Sequence, residues 1–124
     1  MSARPPWTDA ELDHLLSSPL ALFLSVDRDL RLRRVSSSAA RAGERMPPDW
    51  YTGRALFELF PSPEAEAVFR RVLETGERTL ARGLAVEHPR RRWIGTTYWD
   101  FSLRPTFGAD GAIDGLTCVL TDAT

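Results

Sequence analysis

The sequence predicts an α+β fold: a five-stranded antiparallel sheet with helices packed on one face and a short helix at the N-terminus. Three observations point there. Two apolar runs near the start alternate with period two. A block of helical periodicity follows and ends at one long amphipathic segment. The last third returns to alternating strands separated by Gly-rich turns.

The first helix is expected in "TDAELDHLLSS". Thr8 and Glu11 have capping-box spacing, and Leu12, Leu15 and Leu16 make one apolar stripe before Pro19. "LALFLSV" reads as a strand with Leu20, Leu22, Leu24 and Val26 on one face. The turn Asp27-Arg28-Asp29 returns it into "LRLRRV". "SSSAARAGER" is a weak Ala-rich helical turn with serine caps on offer, and "MPPDWYTG" breaks it. "GRALFELFP" is a short helix with Leu56, Phe57, Leu59 and Phe60 clustered before Pro61.

"SPEAEAVFRRVLETG" is the strongest helix. Ser62 caps it, Pro63 suits its first turn, and Glu64 and Glu66 favour its positive end. Ala65, Val68, Phe69, Val72 and Leu73 form the buried stripe, and Gly76 is the left-handed stop. Each larger side chain contributes about 1.5–3 kcal/mol on burial, before chain entropy is subtracted.

"RTLARGLAVE" then leads through "HPRR" into the long strand "RWIGTTYWDFSLRP". Trp93, Thr97, Trp99, Phe101 and Leu103 share its inner face, with Ile94, Tyr98 and Asp100 pointing outward. "GADGAIDG" is a turn, and "LTCVLTD" is the last strand.

The chain has 124 residues, enough for one domain that folds without disulfide or metal. Its formal charge of −1 gives no general attraction to nucleic acid or anionic lipid. No apolar run approaches a membrane span, "MSARPPW" is no secretory signal, and Cys118 is the only cysteine; a cytoplasmic protein is expected. All 16 basic residues are Arg, and Lys, Asn and Gln are absent, as a GC-rich bacterial genome would produce.

Several segments together resemble a PAS domain, the small sensor module of bacterial signalling proteins. "LFLSVDRDLRLRRVSSSAA" resembles its opening hairpin and first helix. "YTGRALFELFP" and "VFRRVLETGE" resemble its middle helices, and "YWDFSLRPTFGADGAIDGLTCVLTDAT" its closing strands. Ser37 departs from the pattern, standing where the family very often has Asn. On this resemblance, residues 1–18 form an N-terminal cap helix. Residues 19–124 form the PAS domain, ending in an Asp-x-Thr junction where Asp122 and Thr124 hold the signal exit. The first two strands pair in the middle of the sheet, next to the last strand.

The resemblance implies a non-enzymatic sensory or regulatory module, acting by small-ligand sensing, dimerisation or both. It implies a covalently linked effector beyond Thr124, such as the histidine kinase of a two-component system; from charge and apolar-run length, no nucleic-acid or membrane partner is expected. The Asp-x-Thr ending at the very end of the chain is read as a cut at a domain border. Homodimer surface is expected from Leu12, Leu15, Leu16, Ile94 and Tyr98. Ligand-pocket candidates are Leu24, Val26, Phe57, Phe60, Val72, Trp99, Phe101, Leu103, Cys118 and Leu120. Two readings of that lining stay open: an aromatic core filled by its own side chains, or a pocket for an apolar small molecule.

The family's cofactors find little to hold them. The long helix has no His for haem iron; His14 and His88 are read as surface residues. "YTGRALFELF" has no Cys for flavin photochemistry, Cys118 is read as a core hydrophobe, and Trp99 and Leu120 stand where flavin-reading amides would be. No cofactor and no metal site are expected. The alternative is a small stand-alone cone-fold α+β enzyme or binding protein, isomerase-like, for which Asp100 is the one candidate base. Its parity turns it from the inner face. The basic cluster "HPRRRW" is read as a solvated hairpin turn.

Overall fold

The computed structural model describes residues 22–123. The expected N-terminal helix, with Leu12, His14, Leu15 and Leu16, lies outside the described residues, as does Thr124.

Five strands form one sheet: β1 (Leu22–Asp27), β2 (Leu32–Val35), β3 (Thr79–Val86), β4 (Thr97–Phe107) and β5 (Ile113–Asp122). Between β2 and β3 lie four helices: α1 (Ser37–Ala42), α2 (Pro48–Tyr51), α3 (Leu56–Leu59) and α4 (Pro63–Thr75). The strand order is β2-β1-β5-β4-β3, and every neighbouring pair is antiparallel. β1 does pair with the last strand, but β2 forms an edge rather than sharing the middle. On its far side β2 meets the 53–56 segment instead of another strand. The Gly53 N–H donates to the Leu32 carbonyl, and the Leu32 N–H to the Arg54 carbonyl.

Register puts the apolar residues on one face. Leu22, Leu24 and Val26 oppose Leu120, Cys118 and Leu116 on β5. Those in turn oppose Phe101, Leu103 and Pro105 on β4. Since strand side chains alternate, a shift of one residue would turn the whole set outward.

The helices end where local chemistry requires. Ser36 caps α1: its hydroxyl accepts from the Ala39 N–H at 3.2 Å and from the Phe23 N–H at 3.0 Å, tying the helix start to β1. Ser62 caps α4, accepting from the Ala65 N–H at 3.3 Å and donating to the Ala85 carbonyl at 2.6 Å. Gly76 closes α4 at φ 73°, the left-handed region that glycine adopts without steric cost. Ala65, Phe69, Val72 and Leu73 of α4 are buried, as their spacing predicts. α2 is a helical turn within "PDWY", which the sequence reading took only as a break.

The long strand starts five residues later than expected. Arg92–Ile94 form a 3₁₀ turn, and Gly95 at φ 71° separates it from β4. Trp93 therefore does not face the core; it is 79% exposed. Ile94 is part-buried in that turn and is not on the outer strand face. β3 carries a bulge between Ala81 and Leu84, with Gly83 at φ 64°. Asp100 serves that bulge, accepting from the Gly83 N–H at 2.8 Å.

Candidate functional site

The inner face of the sheet is not uniformly filled. Beneath α4 it is solid: Val26, Phe69, Val72, Leu103, Leu116 and Cys118 are at most 1% exposed. Phe69 meets Phe57 and Phe101 edge-on, with ring centroids 5.1 and 5.9 Å away.

Toward the opposite end of the strands lies a cavity of about 80 Å³ between the sheet and α1–α3. Six of the pocket candidates border it: Leu24, Phe57, Phe60, Trp99, Phe101 and Leu120. The other four, Val26, Val72, Leu103 and Cys118, do not. They belong to the solid end, where α4 covers the sheet closely. Burial pushes the Cys118 thiol well above its usual range, which keeps it protonated and unreactive.

Sequence reasoning missed the cavity's polar rim. Tyr51, only 1% exposed, borders the cavity. Its hydroxyl donates to the Ala40 carbonyl and accepts from the Glu44 N–H, each at 2.7 Å. Burial raises its pKa, partly offset by the backbone N–H groups of Glu44 and Met46. The hydroxyl thereby replaces the helical continuation that α1 loses at Gly43. That glycine also borders the cavity, and a Cβ there would sit 2.8 Å from the tip of Phe60.

His88 is not a surface residue. It is 6% exposed, borders the cavity, and meets Phe60 edge-on at 5.6 Å. Its Nε2 lies 2.7 Å from Thr97 Oγ1, which also accepts from Trp99 Nε1 at 2.8 Å. Burial, and then the positive Arg91, lower its pKa from the ordinary 6.5; Glu44 and Glu87 pull the other way. The imidazole is held neutral near pH 7. A signal was present: Leu84, Val86 and His88 have the same parity and continue the inner face of β3.

The "HPRRRW" cluster is likewise not a simply solvated turn. Arg90 Nε lies 3.1 Å from Glu44 Oε2, and the Glu44 side chain is 5% exposed. Arg91 donates to the Gly43 carbonyl. The β3–β4 connection is thus fastened to the end of α1, closing one side of the cavity. The candidate base Asp100 is committed to Gly83 on the other face of the sheet, and among the described residues no carboxylate lines the cavity. Among the described residues no His, Cys, Asp or Glu cluster has metal-binding geometry, and no helix is long and apolar enough to cross a membrane.

At the end of β5, Asp122 opposes Trp99, and the Ala123 N–H donates to the Tyr98 carbonyl at 2.9 Å. Tyr98 is 44% exposed on the outer sheet face.

Comparison with known proteins identifies the fold. The PAS fold family matches residues 15–124. The chain belongs to that family. Among solved structures, it is similar to VqmA of Vibrio cholerae, described as a dimer in the absence of target DNA, at 19% identity and TM-score 0.70. The match covers 95% of this chain and 53% of VqmA, so this PAS chain spans about half of that receptor's length. VqmA has also been solved bound to DPO. A PAS domain from Colwellia psychrerythraea matches at 10% identity and TM-score 0.67, covering 85% of this chain and 87% of that one. A sensory box sensor histidine kinase from Vibrio cholerae matches at 18% identity and TM-score 0.62, covering 93% and 89%. No curated protein matches by sequence.

Proposed function

We propose that this PAS domain is a non-enzymatic sensory or regulatory module that takes a small, mainly apolar ligand between α1–α3 and the sheet. It passes the state of that site to a covalently linked effector. The observation that supports the reading most is the placement of the cavity. Its walls are four- to six-residue helices on one side and residues of all five strands on the other. Short helices have few contacts to hold them, so they shift more readily than α4 does. β5 joins the cavity, through Leu120, to the exit at Asp122 two residues later.

About 80 Å³ is less than the roughly 150 Å³ engineered cavity that accommodates benzene. Occupancy by a ring therefore requires α1–α3 to move outward, and that displacement is the signal. The exposed Tyr98 and Leu80 on the outer face support a self-association surface, and the bacterial receptors and kinases of similar fold support a cytoplasmic signalling setting with an effector such as a histidine kinase.

The test is a thermal-shift screen of compact apolar compounds on the purified domain, which we expect to be colourless. At a hundredfold excess over Kd a ligand adds about 2.7 kcal/mol of stability, an upward shift of several degrees. Ala39→Leu, which extends a side chain from α1 into the cavity, abolishes the shift. A haem or flavin absorption band, no active compound, or an undiminished response in Ala39→Leu overturns the reading.

A further inference from the structure

The cavity's walls are anchored unequally. The start of α1 is tied to β1 by main chain and cap alike: the Ser36 N–H donates to the Phe23 carbonyl at 2.8 Å, and the Ser36 hydroxyl accepts from the Phe23 N–H. The stretch between α2 and α3 is bonded main chain to main chain with Leu30 and Leu32, through the Gly53 and Leu56 N–H groups and the Arg54 carbonyl. The end of α1 is fastened differently, by two arginine side chains of the β3–β4 connection. Arg90 Nε lies 3.1 Å from Glu44 Oε2, and Arg91 donates to the Gly43 carbonyl.

Both partners of the first fastening favour its release. The Arg90 side chain is 59% exposed, so water competes for its guanidinium. That guanidinium also lies over the Trp50 ring, 5.3 Å from the centroid, which offers it a second resting place. The Glu44 side chain is 5% exposed, and its Oε1 is buried with no partner among the described residues. A buried, half-satisfied carboxylate gains hydration by reaching solvent. Once Arg90 releases it, Glu44 moves outward and draws with it the adjacent Gly43, which lines the cavity. Across the seam, residues 88–95 are braced by their own turns: the Arg91, Ile94 and Gly95 N–H groups donate to the carbonyls of His88, Arg91 and Arg92. The connection keeps its shape while the end of α1 parts from it.

We propose that the seam between Gly43–Glu44 and residues 88–91 is the port through which an apolar ligand enters the cavity, and that the Arg90–Glu44 pair is its latch. This rests on the cavity being a ligand site. Phe60, which lies against Gly43, and His88, edge-on to Phe60, are the first lining groups the ligand meets. Losing the latch opens the port more often without removing any contact to the bound ligand.

The experiment follows fluorobenzene exchange with the native domain, Arg90→Ala and Arg70→Ala by ¹⁹F NMR, alongside backbone amide hydrogen exchange. Arg70→Ala is the control, since its ion pair with Glu66 lies along α4. Both arginines are more than half exposed, so truncating them leaves the core intact. In Arg90→Ala the association rate constant rises about 5-fold or more, as loss of one charge-assisted contact gives, and affinity does not weaken. The Gly43 and Glu44 amides exchange faster, while those of α4 do not change. Arg70→Ala matches the native domain. An association rate unmoved in Arg90→Ala, a weaker affinity caused by dissociation alone, or unchanged Gly43 and Glu44 amides overturns the port while leaving the ligand cavity standing. Failure of fluorobenzene and of every compound in the thermal-shift screen to bind overturns both.

Discussion

The two ends of one sheet face are built from similar side chains and packed differently. At the α4 end, a 13-residue helix lies over Val26, Leu103, Leu116 and Cys118, and all four are buried. At the other end, Leu22, Phe101, Trp99 and Leu120 face three helices of four to six residues, and a cavity remains. Apolar composition is alike at both ends, so composition does not decide which end is hollow. The covering element does. A long amphipathic helix presents a continuous stripe that interdigitates with the sheet. Short helices joined by Pro and Gly turns present separate side chains at angles that leave gaps.

Core truncation is the strongest way to break this contrast. Phe69→Ala removes a fully buried ring from the solid end and costs about 3–5 kcal/mol in urea unfolding. From sequence, the same loss is expected of Trp99→Ala. Trp99 is only part-buried at the cavity wall, so about 2 kcal/mol is now expected. Equal losses at the two sites would show that both ends are packed alike.

Next in size is Tyr51→Phe. It keeps the ring and removes the hydroxyl that joins the Ala40 carbonyl to the Glu44 N–H. The Ala40 carbonyl keeps the Arg45 N–H, and leaving the Glu44 N–H without its partner costs about 1–3 kcal/mol, measured by the same unfolding curves. A change near zero would mean that α1 holds its end without Tyr51.

The smallest effect is a pH dependence. His88 has a lowered pKa in the folded chain, so below 6.5 the unfolded chain binds a proton that the folded one resists. Its contribution is intact above pH 6.5 and declines as pH falls toward the lowered folded value. Stability at pH 5.5 is therefore below that at pH 7.5, and His88→Phe flattens the difference. Asp114 titrates in a separate, more acidic range. Its pKa is lowered from 3.8, mainly by the hydrogen bond from Thr106 and secondarily by Arg33, so its stabilisation persists until more acid conditions. An unchanged pH slope in His88→Phe would place the titration elsewhere.

The fold was legible because it depends on periodicity. The stripe of α4, its Ser62 and Gly76 ends, and the alternation of β4 from Thr97 onward are local patterns, and each holds. Trp93 misled because it extends the alternation of Trp99 and Phe101 backward. The positive φ of Gly95, which ends that alternation, leaves no mark on parity. The site was half legible. Apolar walls such as Leu24 and Phe60 follow from facing the core. The rim does not, since Arg90 meets Glu44 across 46 positions and their pairing is a product of the tertiary fold. His88 carried the inner-face parity of β3, but its neighbours, the charged Glu87 and the turn-forming Pro89, outweighed it.

The sheet's two margins are both closed to further strands. The Gly53–Leu56 segment already uses backbone groups of Leu30 and Leu32 beside β2. On the far side, the Gly83 bulge interrupts β3, with its N–H directed back to Asp100. A regular ladder cannot continue across either rim. A second copy of this chain that associates through the described residues is therefore expected to stack against a broad surface rather than lengthen the sheet. The same two features protect the domain from the open-ended, edge-to-edge growth that turns a folded sheet into a fibre.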